Sequence, residues 1–411
     1  MLVVTRPVLS FVSTRFLYPT DSGGKIRTTQ VLRGLKNGAF FVRLLMPCTD
    51  FDRATYASEI ELVCDELVSW IPDSEWRPTY LLRKASGIVR SVPIPVWSDW
   101  SRRASIAVER ELKASPDVVV FDFPHSAILA PERINCPSVI FTHNIEAEIF
   151  KRHMEVAESV PKRWLWRNQY RKMLNYERHV LRKFDICIAV SERDKEFFDA
   201  QYGVTECRAI PTGVDTDYFN FSPPKDGRTV VFCGSMDWLA NIDGISYFAD
   251  QVWPIVRKMV PNVRMKVVGR SPPQSLVRNI RSKFPEWEFS GYVDDVREHV
   301  HGAGAFVIPL RVGGGTRIKA FEAMAMGAPV VSTSIGVEGL PLEPGTHYLR
   351  GDTPQEMAEA IVALLSDRER RHGLAMRARQ LVDDRFRFIH VSRIFEQICQ
   401  DAIVSRPPDV A

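Results

Sequence analysis

Along most of the chain, short runs of apolar, β-branched residues alternate with longer segments whose apolar positions recur at helical spacing. The runs predict strands at Val8–Ser13, Phe41–Pro47, Asp117–Phe123, Ser138–His143 and Ile186–Ser191. A second set follows at Thr229–Gly234, Val263–Gly269, Trp287–Val293, Ala305–Leu310 and Pro329–Ser332. Most of these runs are apolar throughout and bounded by Gly, Pro, Asp or Ser, as in strands buried on both faces of a parallel sheet with helices between them. The pattern restarts near Phe221-Ser-Pro-Pro-Lys-Asp-Gly227, a polar stretch suited to a linker. We therefore expect two doubly wound, Rossmann-like α/β domains facing a cleft, at 1–215 and 229–385, joined by 216–228. The segment 386–411 is predicted to form a helix that packs back on the first domain. In such sheets ligands sit beyond the carboxyl ends of the strands, so the loops there are where chemistry is sought.

Composition narrows the picture. At 411 residues the chain has room for two or three domains and for a core that needs no disulfide or metal staple. Lys+Arg 54 against Asp+Glu 50 leaves +4, too small a charge to mark a nucleic-acid binder. Cys48, Cys64, Cys136, Cys187, Cys207, Cys233 and Cys399 are odd in number and contain no CxxC pair, which reads as reduced thiols. No run approaches the ~18 apolar residues of a membrane span. Met1–Ser13 is apolar but broken by Arg6 and Pro7, with no cleavage site after it, so a first strand and a cytoplasmic protein are expected.

The most informative segment is Arg311-Val-Gly-Gly-Gly-Thr-Arg-Ile-Lys-Ala-Phe-Glu-Ala-Met-Ala-Met-Gly-Ala-Pro329, which follows the strand Ala305–Leu310. Gly313, Gly314 and Gly315 let backbone N–H groups approach a ligand with no Cβ in the way. Thr316 is the expected N-cap of a helix that runs to Met326 and closes at Gly327. Free N–H groups and the dipole at that helix start make an anion site, to which Arg317 and Lys319 add two cations. Glu322, one turn beyond Lys319, is placed to accept from a pair of vicinal hydroxyls; the alternative is a surface pair between the two.

With this segment in view, the sequence resembles a known family. Phe321-Glu-Ala-Met-Ala-Met-Gly-Ala-Pro-Val-Val-Ser-Thr333 resembles the E-x-M-A-x-G-x-P-V-V segment of the retaining GT-B-fold glycosyltransferases of family 4. Ile210–Phe219 (IPTGVDTDYF) resembles the signature that ends their N-terminal domain, and Val231–Gly269 the first βαβ unit of their donor domain. Tyr18–Leu35 (YPTDSGGKIRTTQVLRGL) is similar to the opening of sugar transferases from bacterial exopolysaccharide clusters. The resemblance implies a GT-B fold and transfer of a sugar from a nucleotide-diphospho-sugar to a glycan or lipid-linked acceptor, with retention and without a metal. It implies a donor site built from Gly234, Gly314, Gly315, Thr316, Arg317, Lys319 and Glu322. The Gly23–Gly24 loop is implied to lie against donor phosphate or acceptor, and His143 close to the donor sugar. His125, after the preceding strand, is a weaker candidate, and a capping role at a βα turn is the alternative for His143.

The departures matter. Gly314 stands where family members carry the first Glu of Glu-x7-Glu, which puts the choice of sugar in doubt. Gly234–Asn241 lacks the Arg and Lys that commonly grip the diphosphate, and Arg317 with Lys319 is inferred to replace them. Asp215-Thr-Asp217 imitates a metal-binding DxD but falls inside the IPTGVDTDYF segment. The segment 151–183 holds ten Lys/Arg against three Glu, with Trp164, Trp166, Tyr170 and Tyr176 among them. It reads as a solvated charged face or as a surface for anionic membrane. The alternatives to a transferase are a nucleotide-sugar epimerase or phosphorylase of the same fold, and a non-catalytic sugar- or lipid-binding member of an exopolysaccharide complex.

Overall fold

A computed structural model describes residues 6–36, 38–73, 86–87, 90–155, 157, 159–225, 227–312 and 317–406. The chain divides into two compact units, the first Met1–Thr212 with Ile389–Ala411 and the second Gly213–Phe388. Unit 1 holds β1 (Val8–Val12), β2 (Phe41–Pro47), β3 (Glu66–Trp70), β4 (Val118–Asp122), β5 (Ser138–Phe141), β6 (Ile186–Ala189) and β7 (Cys207–Ala209). They form one sheet in the order β3-β2-β1-β4-β5-β6-β7, parallel throughout. Unit 2 holds β8 (Thr229–Cys233), β9 (Arg264–Val268), β10 (Trp287–Gly291), β11 (Ala305–Ile308), β12 (Val330–Ser332) and β13 (Leu349–Arg350). Their order is β10-β9-β8-β11-β12-β13, again all parallel. Strand order reverses between β1 and β4 and between β8 and β11, the positions where a doubly wound sheet opens a crevice for ligands.

Burial on both faces explains the unbroken apolar runs. On β4, Val118 and Val120 join one core of unit 1 while Val119 and Phe121 join the core on the opposite face. On β8, Val230 and Phe232 are likewise separated from Val231. All ten strands read from the sequence are present, β2 with the bounds read and the others shortened by a residue or two at their ends. The strands not anticipated are β3, β7 and β13, the first half-exposed and the others three and two residues long.

The last helix, Phe388–Ser405, belongs to unit 1 from Ile389 onward. Its Phe395 meets Phe141 edge-on at 5.1 Å, and Glu396 accepts a hydrogen bond from the Ala39 amide at 2.5 Å. A Cβ on Gly34 would lie 2.1 Å from that of Ser392, so only glycine admits the contact between the first helix and the last. Unit 2 closes where Val214 donates to Phe386 O at 2.7 Å and Phe388 donates to Val214 O at 2.9 Å. In the stretch read as a linker, Phe219 is buried in the core of unit 2.

Candidate functional site

In unit 2, β8 runs out at Cys233, and Gly234 donates its amide to Val268 O at 2.9 Å. A Cβ on Gly269 would come 1.9 Å from Gly234 O, so the ends of β8 and β9 are packed backbone to backbone. The loop from Gly234 leads into the helix Leu239–Tyr247, where Asn241 donates Nδ2 to Ser235 O at 2.7 Å. Lys319 reaches this loop from the helix that follows β11. Its Nζ donates to Asn241 Oδ1 at 3.0 Å and lies 4.8 Å from the centre of the Phe232 ring. A Cβ on Gly234 would sit 2.8 Å from both Lys319 Nζ and Asn241 Nδ2. The glycine is therefore required for the lysine to occupy the place from which the loop's own cations are missing.

The helix carrying Lys319 spans Ile318–Ala325, and its N-cap position is Arg317, not the expected Thr316. Arg317 adopts left-handed φ 46, ψ 28, a conformation in which a non-glycine residue is strained, and it is 6% exposed. Gly314, Gly315 and Thr316 lie outside the described residues. At the far end Met326 is the C-cap and Gly327 follows at φ 79, where a side chain would meet Ser222 O.

The charges here are tuned by burial. Desolvation brings the Lys319 ammonium down to about 8, with Arg317 pushing the same way and Cys233 and Glu322 opposing. It raises the Glu322 carboxyl to about 7 against the pull of Lys319. A buried lysine whose charge is weakly compensated gains most from an incoming anion. Arg270, after β9, donates Nε to Ser235 Oγ at 3.0 Å and pairs with Asp237 at 3.3 Å. It places another cation on the Gly234 loop that the sequence reading did not single out.

In unit 1 the ends of β1, β4 and β5 converge on Asp122, which is 1% exposed. Asp122 accepts from His143 Nε2 at 2.9 Å, from Thr28 Oγ1 at 3.1 Å and from Ser13 Oγ at 3.2 Å. An ionised carboxylate only accepts, so the imidazole proton is on Nε2. His143 Nδ1 is then a lone pair, buried and without a hydrogen-bond partner. Burial lowers the His143 pKa against the pull of Asp122, with Arg27 lowering it further, so the ring is neutral near pH 7. Arg27 is itself 2% exposed, and burial brings its guanidinium down to about 9.

The Phe123 ring stacks on His143 at 3.8 Å, and Phe123 holds φ 65, a strained value for a bulky residue. A Cβ on Gly24 would lie 2.5 Å from that ring, so the glycine at the start of the helix Gly23–Lys36 leaves room for Phe123 over the histidine. Sequence reading named Gly23, Gly24 and His143, and the structure brings Gly24 and His143 together through Phe123. It missed Asp122, although a lone carboxylate ending an otherwise apolar strand (Val118-Val-Val-Phe-Asp122) was a signal.

The turn after His143 is fixed by Glu177, which is fully buried. Its carboxyl accepts from the amides of Glu146 at 2.8 Å and Ala147 at 2.9 Å and from Tyr202 OH at 3.0 Å. Burial raises the group to about 8, with Glu146 adding to the rise and the two amides opposing. The carboxyl thus caps the helix Glu146–Glu155. His125 is 4% exposed, with Nδ1 3.1 Å from Asp99 Oδ2.

Asp215 Oδ1 accepts from the amides of Asp217 and Tyr218 at 3.2 and 3.0 Å, and Asp217 pairs with Arg387 at 3.0 Å. The DxD look-alike thus holds a turn. Of the aromatic residues in the basic segment, Trp166, Tyr170 and Tyr176 pack into the unit 1 core, whereas Trp164 is 62% exposed and Val160 78%. The expected row of interfacial aromatics is therefore reduced to Trp164. Among the described residues no helix is long and apolar enough to cross a membrane, and no three His, Cys, Asp or Glu side chains gather as metal ligands.

Comparison with known proteins supplies the remaining facts. Residues 23–218 match the family model described as Glycosyltransferase Family 4, and residues 227–367 the one described as Glycosyl transferases group 1. A phosphatidyl-myo-inositol mannosyltransferase of Mycolicibacterium smegmatis is 28% identical over 204 residues, 47% of this chain and 52% of that protein. The chain thus spans about half the length of that relative. An uncharacterised protein of the Klebsiella pneumoniae cps region is 22% identical over 85% of this chain and 89% of its own. Sucrose-phosphate synthase from Thermosynechococcus elongatus superposes with a TM-score of 0.72 at 17% identity, covering 98% of this chain and 100% of that one. Anabaena HepE, solved in complex with UDP-glucose, gives 0.65 at 14% identity over 96% and 100%.

Proposed function

Because the chain belongs to glycosyltransferase family 4 and has the GT-B fold, we propose that it is a retaining enzyme. In this reading it moves a sugar from a nucleotide-diphospho-sugar to a glycan or lipid-linked acceptor. The observation that carries this is Lys319, whose ammonium is held against Gly234 and Asn241 at the end of β8, where the stretch Gly234–Asn241 has no cation of its own. Unit 2 takes the donor. Lys319 and Arg317 meet the diphosphate, with the amides of Gly314, Gly315 and Thr316 as further donors, and Glu322 accepts from the ribose hydroxyls. A departing nucleoside diphosphate gains negative charge, and cations already in place stabilise it without reorganisation. Unit 1 takes the acceptor and supplies His143, whose Nδ1 lone pair accepts from a hydroxyl of the transferred sugar.

No side chain is assigned as a covalent nucleophile. Retention then follows from attack on the face that the leaving group vacates: the acceptor oxygen bonds to the anomeric carbon as the bond to phosphate oxygen breaks, and the acceptor's proton passes to that phosphate. The relatives named as a mannosyltransferase acting on phosphatidyl-myo-inositol and as a cps-region product support a lipid-linked or polysaccharide acceptor. The UDP-glucose complex of HepE supports a nucleotide-sugar donor. Exposed Val160 and Trp164, beside exposed Lys162, Arg163, Arg167 and Arg171, support peripheral contact with anionic membrane.

The test is a thermal-shift panel of UDP, GDP, ADP and CMP on wild type and Lys319→Ala. A ligand at 100 times its Kd stabilises by about 2.7 kcal/mol. One diphosphate should raise the wild-type melting temperature and leave the variant's unchanged. A panel without effect on the wild type would refute the donor site.

A further inference from the structure

Beside His143, on the same end of the unit 1 sheet, lies a polar group that neither donor binding nor the His143 contact employs. His125 Nδ1 is 3.1 Å from Asp99 Oδ2 and 3.5 Å from Arg15 Nη2, and Thr14 Oγ1 donates to Asp99 Oδ2 at 3.4 Å. His125 is 4% exposed, and its Nε2 makes no hydrogen bond, lying 3.9 Å from Glu146 Oε2. Ser13 Oγ ties this group to the His143 site, at 3.2 Å from both Arg15 O and Asp122 Oδ2. The Phe123 ring, stacked on His143, lies 5.4 Å below the Arg15 guanidinium.

The proton inventory sorts the roles. Asp99 as a carboxylate only accepts, so His125 Nδ1 carries the proton and gives it to Asp99. Arg15 cannot donate to a nitrogen that is itself donating, so its exposed guanidinium rests on the Phe123 ring with N–H groups left to offer. The Asp99 carboxylate is partly exposed, whereas the histidine that orients it is buried beneath. An exposed guanidinium beside a carboxylate that a histidine N–H holds in place matches a pair of adjacent hydroxyls, since each hydroxyl both donates and accepts. An anion beside Arg15 would also meet the Asp99 carboxylate, which favours a neutral polyol.

We propose that Arg15 and Asp99, with His125 beneath them as a positioning residue, form the subsite that holds adjacent hydroxyls of the acceptor saccharide. This rests on unit 1 being the acceptor unit. The experiment is saturation-transfer NMR of the full chain with millimolar methyl α-mannoside, methyl α-glucoside, methyl α-galactoside and methyl N-acetyl-α-glucosaminide, and separately with inorganic phosphate.

At least one glycoside should bind the wild type, about tenfold more weakly with Arg15→Ala or Asp99→Asn. His125→Ala should weaken it similarly, and His125→Asn should restore it, because the amide N–H stands in for Nδ1–H. The nucleotide-induced thermal shift should persist in all four variants. Three results would overturn the proposal: no glycoside binding to the wild type, full binding by Arg15→Ala and Asp99→Asn, or phosphate binding alone, lost in Arg15→Ala and kept in Asp99→Asn. Loss of the nucleotide shift in the wild type would instead defeat the donor reading, leaving the glycoside result to decide the subsite.

Discussion

Lys319 is predicted to make nucleotide binding fall with rising pH in a defined window. Buried in the free protein, its ammonium titrates at about 8. A bound diphosphate restores the charge that burial disfavours and returns the group toward the ordinary lysine value of about 10.4. The free form releases its proton first, so ligand binding takes a proton up, and affinity declines above pH 8. Between the two values Kd approaches a tenfold rise per pH unit, which amounts to about 15-fold between pH 8 and 9.5. Neighbouring groups leave the window clear. Glu322 titrates at about 7 and is ionised throughout the decline, and the Cys233 thiol, pushed up to about 12, stays protonated. The assay is calorimetric titration with whichever nucleoside diphosphate the thermal panel selects, from pH 8 to 9.5, on wild type and Lys319→Met. The variant should bind more weakly at pH 8 and show no alkaline decline. A flat wild-type profile, or an equal slope in the variant, would refute Lys319 as the diphosphate cation.

Gly234→Ala places a methyl 2.8 Å from Lys319 Nζ and Asn241 Nδ2, and should weaken nucleoside diphosphate binding about tenfold by displacing the lysine, checked by the same titration. Asp122→Asn should leave nucleotide affinity intact yet lower kcat for donor hydrolysis about a hundredfold, because an amide that can also donate replaces the acceptor-only carboxylate that fixes the His143 tautomer; equal loss of both would point to misfolding instead. Glu177→Ala strands two buried amides at a cost of about 3 kcal/mol, so the melting temperature should fall by roughly 6–12 °C, and by less for Glu177→Gln; a shift under about 2 °C would remove Glu177 as the anchor of the His143 turn. Neutralising Arg163, Arg167, Arg171 and Lys172 together should abolish co-sedimentation with anionic liposomes, and unchanged sedimentation would exclude the basic helix as a membrane surface.

The strands that the sequence revealed are mostly those with an apolar neighbour on each face; the edge strand β10 also stood out, through Trp287 and Phe289. β1, β4, β5, β8 and β11 are interior strands buried over most of their length, so polar residues such as Ser10, Asp122 and Ser138 are few and the apolar run stands out. β3, β7 and β13 are edge strands, and an edge needs apolar residues on part of its surface only. Glu66 and Ser69 in β3 and Arg208 in β7 are compatible with pairing but carry no signal of it. The same division holds for the candidate site. Gly234, Lys319 and Glu322 stand out because glycine and charge at strand ends break a local pattern. Glu177 does not, because in the sequence it is one acid within a basic helix. Only the fold brings it to amides 30 and 31 residues away. Trp166, Tyr170 and Tyr176 looked like a membrane face for a similar reason, since periodicity does not say which neighbour a helix leans on. Here the rings of Phe150 and His153 cover Trp166.

The return of the last helix to unit 1 also has a consequence for the order of assembly during synthesis. The first 212 residues leave the ribosome without the segment that supplies Phe395, Cys399 and Ala402 to their core. Gly213–Phe388, by contrast, is a continuous stretch whose two ends hydrogen-bond to each other at Val214, Phe386 and Phe388. The later half of the chain can therefore complete its packing as soon as it emerges. The earlier half keeps an apolar face open until about four hundred residues have been made, and nascent chains in that interval are the ones a chaperone would hold.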